Sequence, residues 1–264
     1  MIPTDLTPSL HRASALDMLA DLPAESVDAA VFDPPYPTIS GGSNDGKGHG
    51  RPTGILAKND GKIFEQNDVH AREYLPRLCR VLKPQAHIYM MTNVLNLFER
   101  DVHLDLREAG FQIHNLLPWK KNNVTPSRWY MKNVEYTLFA RKGKAFPINN
   151  PGSKTALEVF PHPLDWDNPP SPKSHPTEKP INLMLTYVEN STQPGDLVLD
   201  PFMGTGATGV ACQESGRRFI GVEMDPTYFE RACGRLGVEA PSPGVDDLLG
   251  PEPGEELTVE ELLA

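Results

Sequence analysis

Short apolar runs alternate with amphipathic segments along most of this chain. The apolar runs predict buried strands at Val27–Phe32, Ala86–Met91, Leu197–Leu199 and Phe219–Val222, further strands at Phe111–Trp119 and Glu135–Arg141, and an edge strand at Ser9–Ser14. Apolar residues at helical spacing predict helices at Ala15–Leu22, Leu95–Glu108, Pro180–Asn190, Ala207–Ser215 and Pro226–Leu236, and one that is capped by Asp68 and runs through Arg80. This alternation predicts an α/β fold with a mostly parallel sheet covered by helices on both faces.

Three segments interrupt the alternation. Residues 37–67 contain six glycines between Gly41 and Gly54, and we expect them to form a mobile loop that covers the substrate. Phe146–Pro176 is rich in proline, which predicts an irregular surface segment. We therefore expect one folded domain over residues 1–237, followed by a disordered acidic tail over residues 238–264.

The net charge of −10 argues against a nucleic-acid partner, but the distribution of the charges reverses that interpretation. Eight acids and no Lys or Arg lie in the tail, so residues 1–237 carry only −2. The stretch Ala109–Leu157 holds eight basic residues and a single acid, Glu135, interleaved with Trp119, Trp129 and Tyr130. Such a mixture binds phosphates and stacks on bases, although a solvated basic face over core aromatics gives the same pattern.

No stretch of the sequence approaches the length of a membrane span, and the N-terminus has no basic region followed by an apolar one. The cysteines have no metal-binding spacing and are expected to be reduced; they are Cys79, Cys212 and Cys233. These observations predict a cytoplasmic protein with no bound metal and no membrane partner.

The motif Asp33-Pro34-Pro35-Tyr36 ends the predicted strand Val27–Phe32. Two consecutive prolines have no backbone N–H, so the strand can neither continue its ladder nor turn directly into a helix. The motif therefore forms a rigid lip at the carboxyl end of a strand, where open α/β sheets bind ligands. Its carboxylate, free carbonyls and aromatic ring suit an exocyclic amine on a planar base. A strand-ending turn with a capping aspartate is the alternative interpretation.

A second motif, Asp200-Pro201-Phe202-Met203-Gly204-Thr205-Gly206, joins a predicted strand to a helix. Glycines let the backbone approach a ligand closely, and the helix N-terminus donates free N–H groups. Glu223 ends the next strand about twenty residues later, where an acid binds ribose hydroxyls. A nucleoside with a small zwitterionic tail fits this pattern better than a pyrophosphate cofactor. A tight β–α turn that needs glycine for packing is the alternative.

Four blocks make the chain resemble a DNA amino-methyltransferase that uses S-adenosylmethionine, in the class where the catalytic motif precedes the cofactor motif. The blocks are Ser26-Val27-Asp28 leading into Asp33-Pro34-Pro35-Tyr36; Trp119-Lys120; His175-Pro176-Thr177-Glu178-Lys179-Pro180; and Asp200–Gly206 with Gly221-Val222-Glu223. Their order favours DNA over RNA or protein substrates. The resemblance covers about residues 10–237 and implies a Rossmann-like seven-stranded methyltransferase fold, circularly permuted, with one antiparallel strand.

The resemblance also implies roles for the catalytic motif. Asp33 and the carbonyl of Pro34 would accept hydrogen bonds from the two amino N–H groups of a base flipped out of double-stranded DNA. Tyr36, which follows Pro35, would stack on that base. The sulfonium of the cofactor is already activated, so no metal and no covalent enzyme intermediate is implied.

For the cofactor, the resemblance implies that the methionine portion is surrounded by Asp200, Phe202, Gly204 and Gly206, and that Pro201 and Thr205 also belong to the cofactor site. Glu223 would bind the ribose, and Thr177 and Lys179 the carboxylate. The family often has Gly-Asp before the first helix, where the aspartate contacts the adenine amine. This chain has Ala13-Ser14 there, so Ser14 is the candidate for that contact.

The basic-aromatic stretch is expected to hold DNA, within a recognition insert at approximately 120–176. We expect the DNA backbone to be bound by Lys120, Lys121, Arg128 and Lys132, with Trp129 or Tyr130 supporting the distorted duplex. A homodimer is expected by analogy with the family. Any restriction nuclease would be a separate protein, since the sequence has no nuclease-like region.

Three functions stay open at this point. N6-adenine methylation is the first, because aspartate at the start of the catalytic motif is the commoner adenine pattern. N4-cytosine methylation is the nearest alternative, since serine often stands at position 33 in those enzymes. The third is a catalytically idle module that binds DNA or cofactor, which intact Asp33, Tyr36 and Glu223 argue against.

Overall fold

A computed structural model of the chain describes residues 6–35, 69–98, 100–125, 130–144, 146–159 and 178–239. The expectations for the loop 37–67, for Tyr36, Arg128, Trp129 and Thr177, and for nearly all of the acidic tail lie outside these residues. Within them, no helix has both the length and the apolar character needed to cross a bilayer.

Seven strands form one sheet. They are β1 (Ser9–Arg12), β2 (Val27–Phe32), β3 (Leu82–Thr92), β4 (Phe111–Thr125), β5 (Lys132–Lys142), β6 (Leu197–Asp200) and β7 (Arg218–Glu223). Their spatial order is β1-β7-β6-β2-β3-β5-β4. Only β5 runs antiparallel to its neighbours, which confirms the predicted sheet with a single reversed strand.

Helices cover both faces of this sheet, as predicted. Helices α5 (Ile181–Ser191), α6 (Ala207–Glu214) and α7 (Pro226–Leu236) pack on one face, where Tyr187, Ala211 and Phe229 are buried. The other face is covered by α1 (Ala15–Asp21), α2 (Ala71–Val81) and α4 (Val102–Glu108). Their apolar residues pack against the opposite sides of the same strands, which gives three layers around a central sheet.

Two helix predictions were wrong in detail. His70, rather than Asp68, is the residue that precedes α2, and its backbone N–H donates to Glu73 Oε1 at 3.0 Å. The single helix expected over Leu95–Glu108 is two helices, α3 (Val94–Phe98) and α4. Asp101 separates them, because its φ of +51° is left-handed and cannot continue a right-handed helix.

Three strands, β3, β4 and β5, extend several residues beyond their predicted bounds, and β5 does so by beginning at Lys132. β3 begins at Leu82, so Lys83-Pro84 lies inside a strand and not in a turn, and Gln85 takes a left-handed φ of +71° there. β4 continues past Trp119 to Thr125. β3 stops pairing with β5 at Thr92↔Tyr136, whereas β4 and β5 pair on to Thr125↔Lys132. The two strands therefore project as a ribbon beyond the sheet.

The parallel strands share one carboxyl edge, and most of the predicted site residues follow it. β2 ends before Asp33, β6 ends at Asp200 and β7 ends at Glu223. Arg12, the last residue of β1, pairs with Glu223, so Ser14 follows on the same edge. The projecting ribbon lies at this edge too, because β4 runs parallel to β3 and ends there.

Candidate active site

The lip Asp33-Pro34-Pro35 emerges from β2, in the middle of the sheet between β6 and β3. Phe32 and Pro34 are buried and Asp33 is half-buried. Beneath the lip, the ring of Tyr74 from α2 meets Phe32 edge-on at a centroid distance of 6.2 Å and Phe202 at 5.1 Å. This aromatic packing fixes the base of the lip and joins it to the glycine motif.

A chain of alternating charges begins at Asp33. Its Oδ2 lies 2.5 Å from Lys179 Nζ, and the same ammonium lies 3.5 Å from Glu135 Oε2. Glu135 Oε1 in turn accepts a hydrogen bond from Lys121 Nζ at 2.7 Å. Burial would raise the pKa of Glu135, but the two lysines outweigh burial and hold that pKa below its ordinary value. The four side chains therefore form a largely buried network with two positive and two negative charges.

This network changes the setting of two predicted residues. Lys179 was expected at the cofactor carboxylate, but its ammonium lies at Asp33 and only 9% of its side chain is exposed. Lys121 was expected on the DNA-facing surface, but it points inward to Glu135 and only 12% of its side chain is exposed. A lysine held in this way is poorly placed to bind a phosphate, so the structure argues against the prediction for Lys121.

A polar cleft of about 290 Å³ opens beside Pro35, between α2 and the loop before α4. Charged residues of both signs line it, including Arg72, Arg100, Asp101 and Asp105. The lip is thus bordered by polar groups in this cleft as well as by the charge network.

The glycine motif forms a tight turn from β6 into α6. Met203 N–H donates to Val222 O and Gly206 N–H donates to Met203 O, both at 2.9 Å. Gly204 has a φ of +52° and Gly206 a φ of +81°, values that disfavour residues with a Cβ. Among the described residues, no atom would lie within 4 Å of a Cβ at Gly204, so this part of the structure leaves open space beside the turn. That space is where a ligand can approach the backbone.

Asp200 is buried under this turn and holds it together. Oδ1 accepts from Phe202 N–H at 3.0 Å, and Oδ2 accepts from the Thr208 hydroxyl at 2.7 Å. Burial raises the pKa of Asp200 to about 7 despite these two hydrogen bonds, and the nearby charges of Asp33 and Glu223 add to the increase. Asp200 therefore shapes the turn from below.

Glu223 ties the turn to the end of β7. Its Oε2 accepts from Gly204 N–H at 2.9 Å, and its Oε1 accepts from the N–H groups of Met224 and Asp225. Burial raises the pKa of Glu223, although the three backbone hydrogen bonds oppose that increase. The carboxylate thus lies beside Gly204 at the edge of the open space.

Ser14 lies on the adjacent strand connection. The backbone N–H of Ala13 donates to Glu223 O at 3.2 Å, and Ser14 caps α1, where its hydroxyl accepts from Leu16 N–H. Ser14 therefore lies near Glu223, as the cofactor prediction requires, and its hydroxyl already serves the helix.

Residues Glu178–Pro180 connect the two halves of the site. Glu178 forms an ion pair of 2.6 Å with Arg235 of α7, and Arg235 reaches the carbonyl of Thr205 at 3.4 Å. The next residue, Lys179, reaches Asp33. One short segment thus contacts both the glycine turn and the catalytic lip.

Glu135 and Arg235 were not predicted as site residues. The only signal for Glu135 in the sequence was that it is the one acid in a basic stretch.

The ribbon of β4 and β5, together with Tyr130 and Met131 just before β5, carries exposed cationic and aromatic side chains. Lys120 and Lys132 are exposed, Tyr130 is 94% exposed and Met131 is 65% exposed. Trp119 is only 2% exposed and belongs to the core, so the aromatic half of the predicted mixture is partly structural.

Gly221→Ala is expected to destabilise the site. A Cβ at this position would lie 2.3 Å from the sulfur of Met203, which is buried, and 2.6 Å from Phe219 Cε1. Overpacking of this kind costs about 1–3 kcal/mol. Urea unfolding should show the loss. Gly234→Ala, in helix α7, should be neutral or stabilising, because no atom of the described residues would lie within 4 Å of the added Cβ. Equal unfolding midpoints for Gly221→Ala and the wild type would contradict this packing.

Comparisons with known proteins agree with this geometry. A family model described as DNA methylase, for N6 and N4 enzymes, matches residues 27–233. The Type II methyltransferase M2.DpnII of Streptococcus pneumoniae is 32% identical over 245 residues, which cover 87% of this chain and 90% of that protein. M2.LlaDCHI of Lactococcus lactis subsp. cremoris is also 32% identical, over 86% of this chain and 88% of that protein.

Solved structures show the same fold. The M1.HpyAVI–SAM complex superposes with a TM-score of 0.61 and 26% identity, over 86% of this chain and 99% of that one. The cytosine-N4-specific PvuII DNA methyltransferase superposes with a TM-score of 0.63 over 92% of this chain and 89% of that one, and at 16% identity it supports the fold alone. Since the family model spans most of the sequence, the chain belongs to the N6/N4 DNA methylase family, as its motifs indicated.

Proposed function

We propose that the protein transfers a methyl group from S-adenosylmethionine to the N6 amine of adenine in double-stranded DNA. The observation that carries the proposal is the position of Asp33, a half-buried carboxylate on a rigid lip at the same sheet edge as the glycine turn and Glu223. Such an edge places a hydrogen-bond acceptor for an amine beside a nucleoside site.

The residues at the glycine turn fit the cofactor. Space beside Gly204 admits a ligand, and the carboxylate of Glu223 lies at that space, where it can accept hydrogen bonds from ribose hydroxyls. Thr205, Gly206 and Ser14 complete the proposed pocket, while Asp200, Pro201 and Phe202 shape it. The solved complex of the related M1.HpyAVI with SAM supports S-adenosylmethionine as the cofactor. Once bound, the cofactor supplies an activated methyl group on a sulfonium.

The protein's own contribution is to orient the amine. Asp33 and the carbonyl of Pro34 accept hydrogen bonds from its two N–H groups, with the base flipped out of the duplex and stacked on Tyr36. Acceptors directed at both N–H bonds favour a pyramidal nitrogen and stabilise the positive charge that develops on it. Catalysis then consists mainly of alignment, which is worth several kcal/mol when reacting atoms are held in place.

Adenine is proposed over cytosine because aspartate, not serine, begins the catalytic motif. The family includes both N6 and N4 enzymes, so N4-cytosine methylation is the second candidate. Sequencing that detects both modified bases, applied to DNA from cells that express the protein, distinguishes the two. N6-methyladenine at one recurring sequence supports the proposal, and N4-methylcytosine at such a site contradicts it.

We propose that the ribbon of β4 and β5 contacts the DNA. It projects from the sheet at the edge that carries Asp33, and it exposes Lys120, Lys132 and Tyr130. The lysines would hold phosphates, and Tyr130 would support the duplex around the flipped base. Arg128 and Trp129 belong to the same proposal by sequence.

A homodimer is proposed from the family alone, and light scattering of the purified protein tests it.

Lys120→Ala and Lys132→Ala are each expected to weaken binding to all duplexes alike. Each lost phosphate contact should flatten the plot of log affinity against log salt by about one unit. Lys144→Ala is the matched control, because Lys144 is exposed just past the opposite end of β5. Binding is measured over a salt series on cognate and scrambled duplexes. If neither ribbon variant changes the slope, the ribbon does not hold the backbone.

A further inference from the structure

We propose that Glu135 is a positioning residue for methyl transfer, which acts on Asp33 through Lys179. This inference rests on the proposed role of Asp33 as the acceptor of the target amine. Glu135 does not itself reach the lip; it contacts the ammonium that does.

The register of the sheet explains how Glu135 comes to this place. β3 lies between β2 and β5, and its pairing with β5 ends at Thr92↔Tyr136. Glu135 therefore lies immediately outside the part of β5 that pairs with β3. Its carboxylate reaches Lys179 from a strand two positions away from β2. A local sequence pattern does not place these residues together.

The charges explain what Glu135 does there. Lys179 lies between two carboxylates, at 2.5 Å from Asp33 and 3.5 Å from Glu135. Its ammonium must stay close to Asp33 without occupying all of that residue's capacity to accept hydrogen bonds, since the target amine needs the same carboxylate. The carboxylate of Glu135 also attracts the ammonium of Lys179, so Asp33 is not its only partner in the network. If Glu135 loses its charge, Asp33 becomes the only carboxylate of the network that pairs with Lys179, and it is then less available to the target amine.

Lys121 fixes Glu135 in turn. It comes from β4 and holds Oε1 at 2.7 Å, which leaves Oε2 directed at Lys179. A buried carboxylate with two ammonium partners has little freedom to turn away, because any rotation would separate a buried charge from its partner. The network thus sets the place of Lys179 from strands β5 and β4, which lie on the other side of β2 from β6 and the glycine turn.

Glu135→Gln keeps the shape of the side chain and removes its charge. We expect kcat to fall about tenfold or more while the Kd for S-adenosylmethionine changes less than about twofold, since the proposed cofactor residues are untouched. Glu214→Gln, an exposed glutamate at the end of α6, is the control. A kcat for Glu135→Gln equal to that of the control would overturn the proposal. So would a parallel loss of kcat and cofactor affinity, which indicates a structural role.

Two further variants complete the test. In a Lys179→Met background, Glu135→Gln should cause no additional loss of kcat, because it acts through Lys179; an additive loss would contradict this. Glu135→Asp keeps the negative charge on a side chain that is one methylene shorter. We expect its carboxylate to stay with Lys121 and to move away from Lys179, so that kcat falls severalfold in a protein that still binds cofactor. Wild-type kcat in Glu135→Asp would count against the proposal. Wild-type protein that transfers no methyl group would instead contradict the proposed function itself.

Discussion

Asp33→Ala is expected to lower kcat for methyl transfer at least about 10²–10³-fold and to leave S-adenosylmethionine bound with nearly wild-type affinity. Asp33 is the charged acceptor on the lip, and the loss of one preorganised electrostatic group at a reacting centre costs about 10²–10³ in kcat. The glycine turn and Glu223 make their hydrogen bonds without Asp33, so the cofactor site should keep its shape. Lys179 would retain Glu135 as its ionic partner.

Calorimetric titration with the cofactor and a methyl-transfer assay on the same preparation separate the two effects. Asp21→Ala, an exposed aspartate at the end of α1, is the control for charge removal. A large rise in the Kd for cofactor in Asp33→Ala would mean that Asp33 belongs to the cofactor pocket. Retained methyl transfer would remove Asp33 from the reaction.

Glu223→Ala is expected to have the reverse effect and to raise the Kd for S-adenosylmethionine. The loss of a charged hydrogen-bond acceptor costs about 1.5–3 kcal/mol, which corresponds to roughly ten- to a hundredfold in affinity. The chemical step should be largely preserved at saturating cofactor, because Asp33 is unchanged.

Glu223 also accepts three backbone hydrogen bonds around the turn, so its removal could loosen the turn as well. Glu223→Gln tests this, because it loses the charge but keeps one of the two acceptor oxygens, enough for either Gly204 N–H or the N–H groups of Met224 and Asp225. If the melting temperature of Glu223→Gln matches the wild type while its affinity falls, the effect is on binding. An unchanged Kd in Glu223→Ala would remove Glu223 from the proposed ribose site.

The positions of the strands and of the two motifs could be predicted from the sequence because they depend on local patterns. Val27–Phe32 is an apolar run that ends at prolines, and Gly204 and Gly206 have the left-handed φ that their type permits. In a parallel sheet the carboxyl ends of the strands lie at one edge. The prediction of a parallel sheet therefore also predicts that Asp33, Asp200 and Glu223 lie at that edge. Helix α7 begins and ends at its predicted residues.

The charge network could not be predicted in this way, because it depends on which strands are neighbours. Glu135 meets Lys179 and Lys121 only because β5 lies between β3 and β4 and extends past β3. The sequence shows Lys121 as one more basic residue beside Lys120, and its direction follows from the tertiary pairing. The break between α3 and α4 was missed for a similar reason: no glycine or proline marks it, and Asp101 adopts its left-handed backbone without either.

The identity of the methylated nucleoside tests N6-adenine methylation most directly. Purified wild-type protein is incubated with mixed genomic duplex DNA and S-adenosylmethionine that carries a deuterated methyl group, with Asp33→Ala as the blank. The DNA is then digested and its nucleosides are separated by mass spectrometry. We predict labelled N6-methyldeoxyadenosine with the wild-type protein and at most about a hundredth as much with Asp33→Ala. Label on N4 of deoxycytidine, or no labelled nucleoside from the wild-type protein, would rule out N6-adenine methylation by this protein.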